Sequence, residues 1–172
     1  VHGDDFTTGG PNDQLDWLAA RPKERNEFKE LARLGPGPND DKEGRILNRV
    51  IKWSDDGVGF EADPRQAEKV VFDLGVGGSS AAGTPGVKVT YDMAEEDVPL
   101  PENRHIAYRC IAARCNHLAA DRPYAQHASN EICRWMAKPS EHGVTALKRL
   151  GRYLEGHPRL VFRYPFQQGI QC

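Results

Sequence analysis

Apolar residues recur at helical spacing in several separate stretches of this chain and at strand spacing in one. Leu15, Trp17, Leu18 and Ala19 follow Asn12, which can cap a helix that Pro22 then breaks. Phe28, Leu31 and Leu34 fit a helix turn or a strand equally well, and Gly35-Pro36-Gly37-Pro38 ends that segment. Residues 39–44 read as a polar loop. Ile46–Trp53 reads as a strand, Ser54-Asp55-Asp56-Gly57 as a hairpin turn and Val58–Glu61 as the returning strand. Asp63-Pro64 starts a helix through Ala67, Val70, Val71 and Leu74 that Gly75 closes. Residues 76–103 are small, Gly-rich and then acidic, as a surface connection would be. Three further helices carry stripes. The first has Tyr108, Ile111, Cys115 and Leu118. The second starts at Asp121, with Pro123 in its first turn, and has Tyr124, Ala128, Ile132 and Trp135. The third is capped by Ser140 and has Val144, Leu147, Leu150 and Leu154. The stripes of the last two should share one core, with Lys148, Arg149 and Arg152 on outer faces.

Composition changes this picture little, but charge changes it more. The 172 residues are 38% hydrophobic, with 17 glycines and 12 prolines, which describes a lean core with many breaks. No apolar run is long enough for a membrane helix and no signal peptide is visible, so the expectation is an intracellular chain with no membrane partner. The chain opens on Val inside a strand-like run and so reads as an internal piece of a longer protein. Cys110, Cys115, Cys133 and Cys172 lack metal or redox spacing and read as idle thiols in a reducing compartment. The net charge of −2 conceals a division. Residues 1–103 hold 12 Lys and Arg against 21 Asp and Glu, whereas residues 104–163 hold 11 against 4. A basic half beside an acidic, carboxylate-bearing half suits a polyanion held near a metal site.

Three Asp-Asp pairs compete for that metal. Asp55-Asp56 belongs to the hairpin turn and Asp40-Asp41 to the polar loop, which leaves Asp4-Asp5. That pair sits in a short apolar stretch, Val1 to Phe6, closed by Thr7-Thr8-Gly9-Gly10. A strand-turn-strand tip would project both carboxylates outward, where Mg²⁺ could meet them together with a substrate phosphate. The Gly75–Ser80 run is no phosphate loop, because no Lys-Ser/Thr follows it.

Taken in order, these landmarks resemble the copia-type retrotransposon polyprotein at the end of its reverse transcriptase. His2-Gly3-Asp4-Asp5 stands where that family has its Tyr-Val-Asp-Asp hairpin, and Asp13–Gly35 matches its next helix and segment. Ile46-Leu47-Asn48-Arg49 and Gly57-Val58-Gly59-Phe60 match its primer-grip strands. Thr84-Pro85, Tyr108-Arg109, Leu118-Ala119 and Asp121-Arg122-Pro123-Tyr124 then follow as further family motifs. Pro139, His142, Lys148-Arg149 and Arg152-Tyr153-Leu154-Glu155-Gly156 close the pattern. The match covers nearly the whole chain in the correct order. There are departures: His2 and Gly3 replace an aromatic and a β-branched residue, and Tyr124 replaces an Asp.

The resemblance implies an α+β fold of palm-derived β-hairpins followed by a helical thumb and connection. Residues 1–62 would be the C-terminal part of the palm, and 63–172 the helical part leading toward a ribonuclease H domain. It implies RNA-directed DNA synthesis with Mg²⁺ on Asp4 and Asp5, and an RNA template, a DNA primer, deoxynucleoside triphosphates and the rest of a polyprotein as partners. His2, Arg49, Lys52, Arg122, Lys148, Arg149 and Arg152 are the candidate nucleic-acid contacts. The family places a third metal-binding Asp on an earlier strand, so these residues by themselves are expected to be inactive. Two rival expectations are a decayed retroelement product and a non-enzymatic, nucleic-acid-binding helical module.

Overall fold

The computed structural model describes residues 6–25, 27, 29–88 and 97–167. It mixes helices with a four-stranded antiparallel sheet, compatible with an α+β class. The chain divides into two compact units. Among the described residues, one comprises those up to Glu61 together with 162–167, and the other those from Ala62 to Val161. The C-terminal segment therefore returns to the first unit instead of extending the helices.

The first unit contains α1 (Asn12–Lys23), β1 (Glu43–Ile46), β2 (Arg49–Ser54), β3 (Gly57–Glu61) and β4 (Val161–Pro165), in the sheet order β1-β2-β3-β4. Asn12 is the first helical residue of α1, not its cap, since Pro11 holds that position. Pro22 lies inside the helix, which ends one residue later. The missing N–H of a proline costs least near a helix end. Residues 27 and 29–33 form neither a helix nor a strand. The single strand expected over Ile46–Trp53 is two. Leu47 and Asn48 both take positive φ, 48° and 66°, the conformation of a two-residue type I′ turn. As a result β1 begins at Glu43, within the expected loop.

Pairing sorts the side chains of the sheet. Val58 faces Trp53, and Phe60 faces Ile51, so these four residues lie on one face. Phe166 packs on Trp53 with ring centroids 4.8 Å apart, and Phe162 lies 6.3 Å from Phe60. On the other face Lys52 pairs with Glu43 across β1 and β2 at 2.9 Å. Gly57 is obligatory where β3 meets β4, because a Cβ there would stand 2.3 Å from the carbonyl oxygen of Tyr164.

The second unit is a helical bundle of α2 (Arg65–Leu74), a 3₁₀ turn (Glu102–Arg104), α3 (His105–Ala119), α4 (Pro123–Arg134) and α5 (Glu141–Gly156). Asp63 accepts from the Arg65 amide at 3.0 Å to start α2, and Gly75 at φ 61° ends it in the left-handed conformation. The stripes read from sequence meet in one core. Tyr108, Cys115, Leu118, Ile132, Leu147, Leu150 and Leu154 are buried, with Tyr124, Trp135 and Val144 packed against them. Burial of each large apolar side chain contributes about 1.5–3 kcal/mol. Small residues let the helices approach. A Cβ on Gly143 would lie 2.7 Å from the Tyr108 hydroxyl, and one on Gly151 would lie 2.8 Å from Leu74. Val76 and Leu100 are buried as well, so the 76–103 connection is partly core.

Two consequences can be measured. Leu150→Ala should cost about 2–5 kcal/mol in denaturant unfolding, the usual range for emptying a closed helical core. Burial also pushes the Cys115 thiol up to about 12 and raises the Tyr108 phenol. Both groups stay protonated in the fold after an unfolded chain has begun to release those protons, near pH 8.5–10. Stability is therefore full below about pH 8.5 and falls as pH rises toward 12, by about 1.4 kcal/mol per pH unit for each such group. Urea titrations at rising pH should show this slope, and Cys115→Ala should make it shallower.

Candidate nucleic-acid interface

The candidate residues of the second unit lie around helix ends. Ser140 accepts from the Gly143 amide at 3.3 Å and Asp97 from the His142 amide at 3.0 Å, fixing the start of α5. At its far end a cation closes the helix. Arg122, at the N-cap of α4, donates from Nη1 to the carbonyl of His157 at 2.9 Å and from Nη2 to that of Pro158 at 2.7 Å. Nη1 also donates to the Tyr124 hydroxyl at 2.7 Å. His157 is the C-cap of α5, so the guanidinium satisfies carbonyls that no amide can reach and meets the negative end of the helix dipole.

This corrects one expected contact. Arg122 is 0% exposed and carries structure, so it presents nothing to a phosphate. The resemblance alone placed Arg122 among the nucleic-acid contacts. The counter-signal lay in its place between two apolar stripes.

The other expected contacts scatter. His2, Asp4 and Asp5 lie outside the described residues, and the assignment of magnesium to the two carboxylates lies there with them. Arg49 is half-buried on β2, and Lys52 is exposed but ion-paired with Glu43. Lys148 is exposed on α5, whereas Arg149 and Arg152 are half-buried. Arg149 donates from Nη2 to the Thr84 hydroxyl at 2.7 Å. The Arg152 carbonyl accepts from the Ala82 amide at 3.4 Å, and Glu155 accepts from the Gly78 amide at 3.0 Å. The 78–86 segment thus lies along α5, which sequence reasoning did not foresee. Beside it stand aromatic rings: Tyr153 stacks on His157 at 4.2 Å and lies 5.4 Å from Tyr124.

Of the competing acidic pairs, Asp55-Asp56 lies in the hairpin turn and Asp40-Asp41 in the connection before β1, as expected. Asp40 accepts from the Gly37 amide at 2.8 Å and Asp41 from the Arg33 amide at 3.0 Å. Asp56 accepts from the Ser54 hydroxyl at 2.6 Å, which holds its carboxyl below the usual range. Among the described residues no three His, Cys, Asp or Glu side chains converge on a point, and no helix is long and apolar enough to cross a membrane.

Several of the motif residues hold the ends of helices, and two motifs touch each other through Arg149 and Thr84. Tyr108 donates to the Ile132 carbonyl at 2.8 Å and Arg109 to that of Met136 at 2.8 Å, so both close the end of α4. Arg122 closes α5, and Thr84 joins Arg149. No family model, curated protein or solved structure matches the chain. Arg122→Ala should destabilise the protein by about 1–3 kcal/mol, since it removes a buried side chain and its three hydrogen bonds. Lys148→Ala should stay within about 0.5 kcal/mol, as exposed positions do. Urea unfolding of the two variants checks the contrast.

Proposed function

We propose that the chain is a section of a retroelement RNA-directed DNA polymerase, comprising the end of a palm and a helical thumb and connection. In this reading α5 tracks the phosphate backbone of a primer–template, with Lys148 and Arg152 as its contacts. Asp4 and Asp5 hold Mg²⁺ at the polymerase site, and bound magnesium supplies charge neutralisation at the triphosphate. One observation carries the reading: the family's landmarks run in order along nearly the whole chain. The charge division adds support from electrostatics, since a surface rich in Lys and Arg draws a polyanion toward it.

A second reading is a nucleic-acid-binding helical module without catalysis. It is favoured by the second unit's own core, from Ala67 to Leu154. Metal-dependent primer extension separates the two. In a protein that also carries the upstream strands, Asp4→Asn should lower templated nucleotide incorporation by on the order of 10³-fold. Full incorporation by that variant would leave only the module.

The binding face has its own test. Lys148→Ala and Arg152→Ala should each lower the log–log salt slope of DNA binding by about 0.7–0.9, one released counterion per lost phosphate contact. Arg122→Ala, corrected for its loss of stability, should leave the slope unchanged because that guanidinium is already buried. An unchanged slope in the first two variants would make them ordinary solvated residues.

A further inference from the structure

We infer that Thr84 is a phosphoacceptor whose phosphate docks on Arg149. Thr84 is exposed, and Thr84-Pro85 is the one Ser/Thr-Pro dipeptide among the 172 residues. Its hydroxyl already lies 2.7 Å from Nη2 of Arg149 and donates to the Gly86 carbonyl at 3.0 Å. Arg149 is a fork with one tine engaged. Its Nε is buried and has no hydrogen-bond partner, yet Nε and Nη2 point from the same edge of the guanidinium. The Thr84 hydroxyl takes only one of those two donors here. A phosphate brings three acceptor oxygens and a charge near −2, and arginine binds such groups through two parallel N–H···O bonds. Arg152 follows one helical turn later on the same side of α5, and its Nε is likewise buried without a partner. The 78–86 segment is already tied to that helix by Gly78 to Glu155 and Ala82 to Arg152. The phosphate would therefore strengthen an existing attachment and need not create a new one.

The step needs a nucleoside triphosphate and a proline-directed protein kinase. The Thr84 oxygen attacks the γ-phosphorus and forms the new P–O bond. The bond from that phosphorus to the bridging oxygen breaks, the diphosphate leaves, and the hydroxyl proton passes to a base of the kinase. One consequence rests on the nucleic-acid reading above: a phosphate on Arg149 places negative charge on the face proposed to meet DNA and weakens that contact.

The test treats the purified chain with a proline-directed kinase and magnesium-ATP. We expect one phosphate, mapped by mass spectrometry to Thr84 and absent in Thr84→Ala. Phosphorylation should raise Tm by about 4 °C. The rise should vanish in Arg149→Gln and fall below half in Arg149→Lys, which keeps the charge but loses the fork. If Arg149→Gln does not fold, the lysine variant decides. No incorporation at Thr84, or an equal Tm rise in the variant that decides, overturns the proposal. Duplex DNA binding at about 50 mM salt is the separate readout. A Tm rise with unchanged DNA affinity supports the phosphoacceptor site and removes the nucleic-acid reading.

Discussion

A fully buried arginine ties the end of one helix of this bundle to the start of another. Burying a guanidinium is costly unless every donor it can satisfy finds an acceptor. Arg122 meets most of that demand with two carbonyls just past the end of α5 and one hydroxyl on α4. The interaction is directional where the core is not. The fork adds a directional constraint to the close packing of the leucines on α5. The end of one helix is thus locked to the start of another, and the placement of Tyr153, His157 and Leu154 follows from it.

The same device recurs. Tyr108 and Arg109 on α3 close the carbonyl end of α4, and Ser140 and Asp97 close the amide end of α5. Three of the residues that carry the family resemblance, Tyr108, Arg109 and Arg122, therefore terminate helices belonging to their neighbours. Such residues hold a bundle in one arrangement whatever it binds. Lys148 and Arg152 differ, since the fold makes less use of their side chains, and this is why the proposed backbone contacts are assigned to them.

What was legible in the sequence follows the range of the interactions. The stripes of α3, α4 and α5 were readable because each repeats every three or four residues, and the same repeat places Leu147, Leu150 and Leu154 in the core. The Ser54–Gly57 hairpin was readable from its turn residues. The β1–β2 hairpin was not, because Leu47 occupies a left-handed position that Asn or Gly normally marks. Ala112, Ala125 and Ala128 are buried at close approaches where size matters more than hydrophobicity. Phe162, Tyr164 and Phe166 alternate as a strand should, yet their partner strand lies a whole unit away in sequence. Arg122 was misread because its acceptors lie 35 and 36 residues further on.

That distant pairing bears on the order in which the molecule assembles. β4 lies beside β3 in the sheet, although the residues from Ala62 to Val161 separate them along the chain. Closing a flexible loop of that length would cost about 4 kcal/mol in chain entropy. The Ala62 amide, however, donates to the Leu160 carbonyl at 3.0 Å, so the folded helical unit brings its own two ends together. Once it has formed, β3 and β4 emerge as near neighbours and the loop penalty has already been met. Helical local contacts form fast and distant strand pairs slowly. The bundle is thus placed to fold first and to act as the template on which the fourth strand joins the sheet.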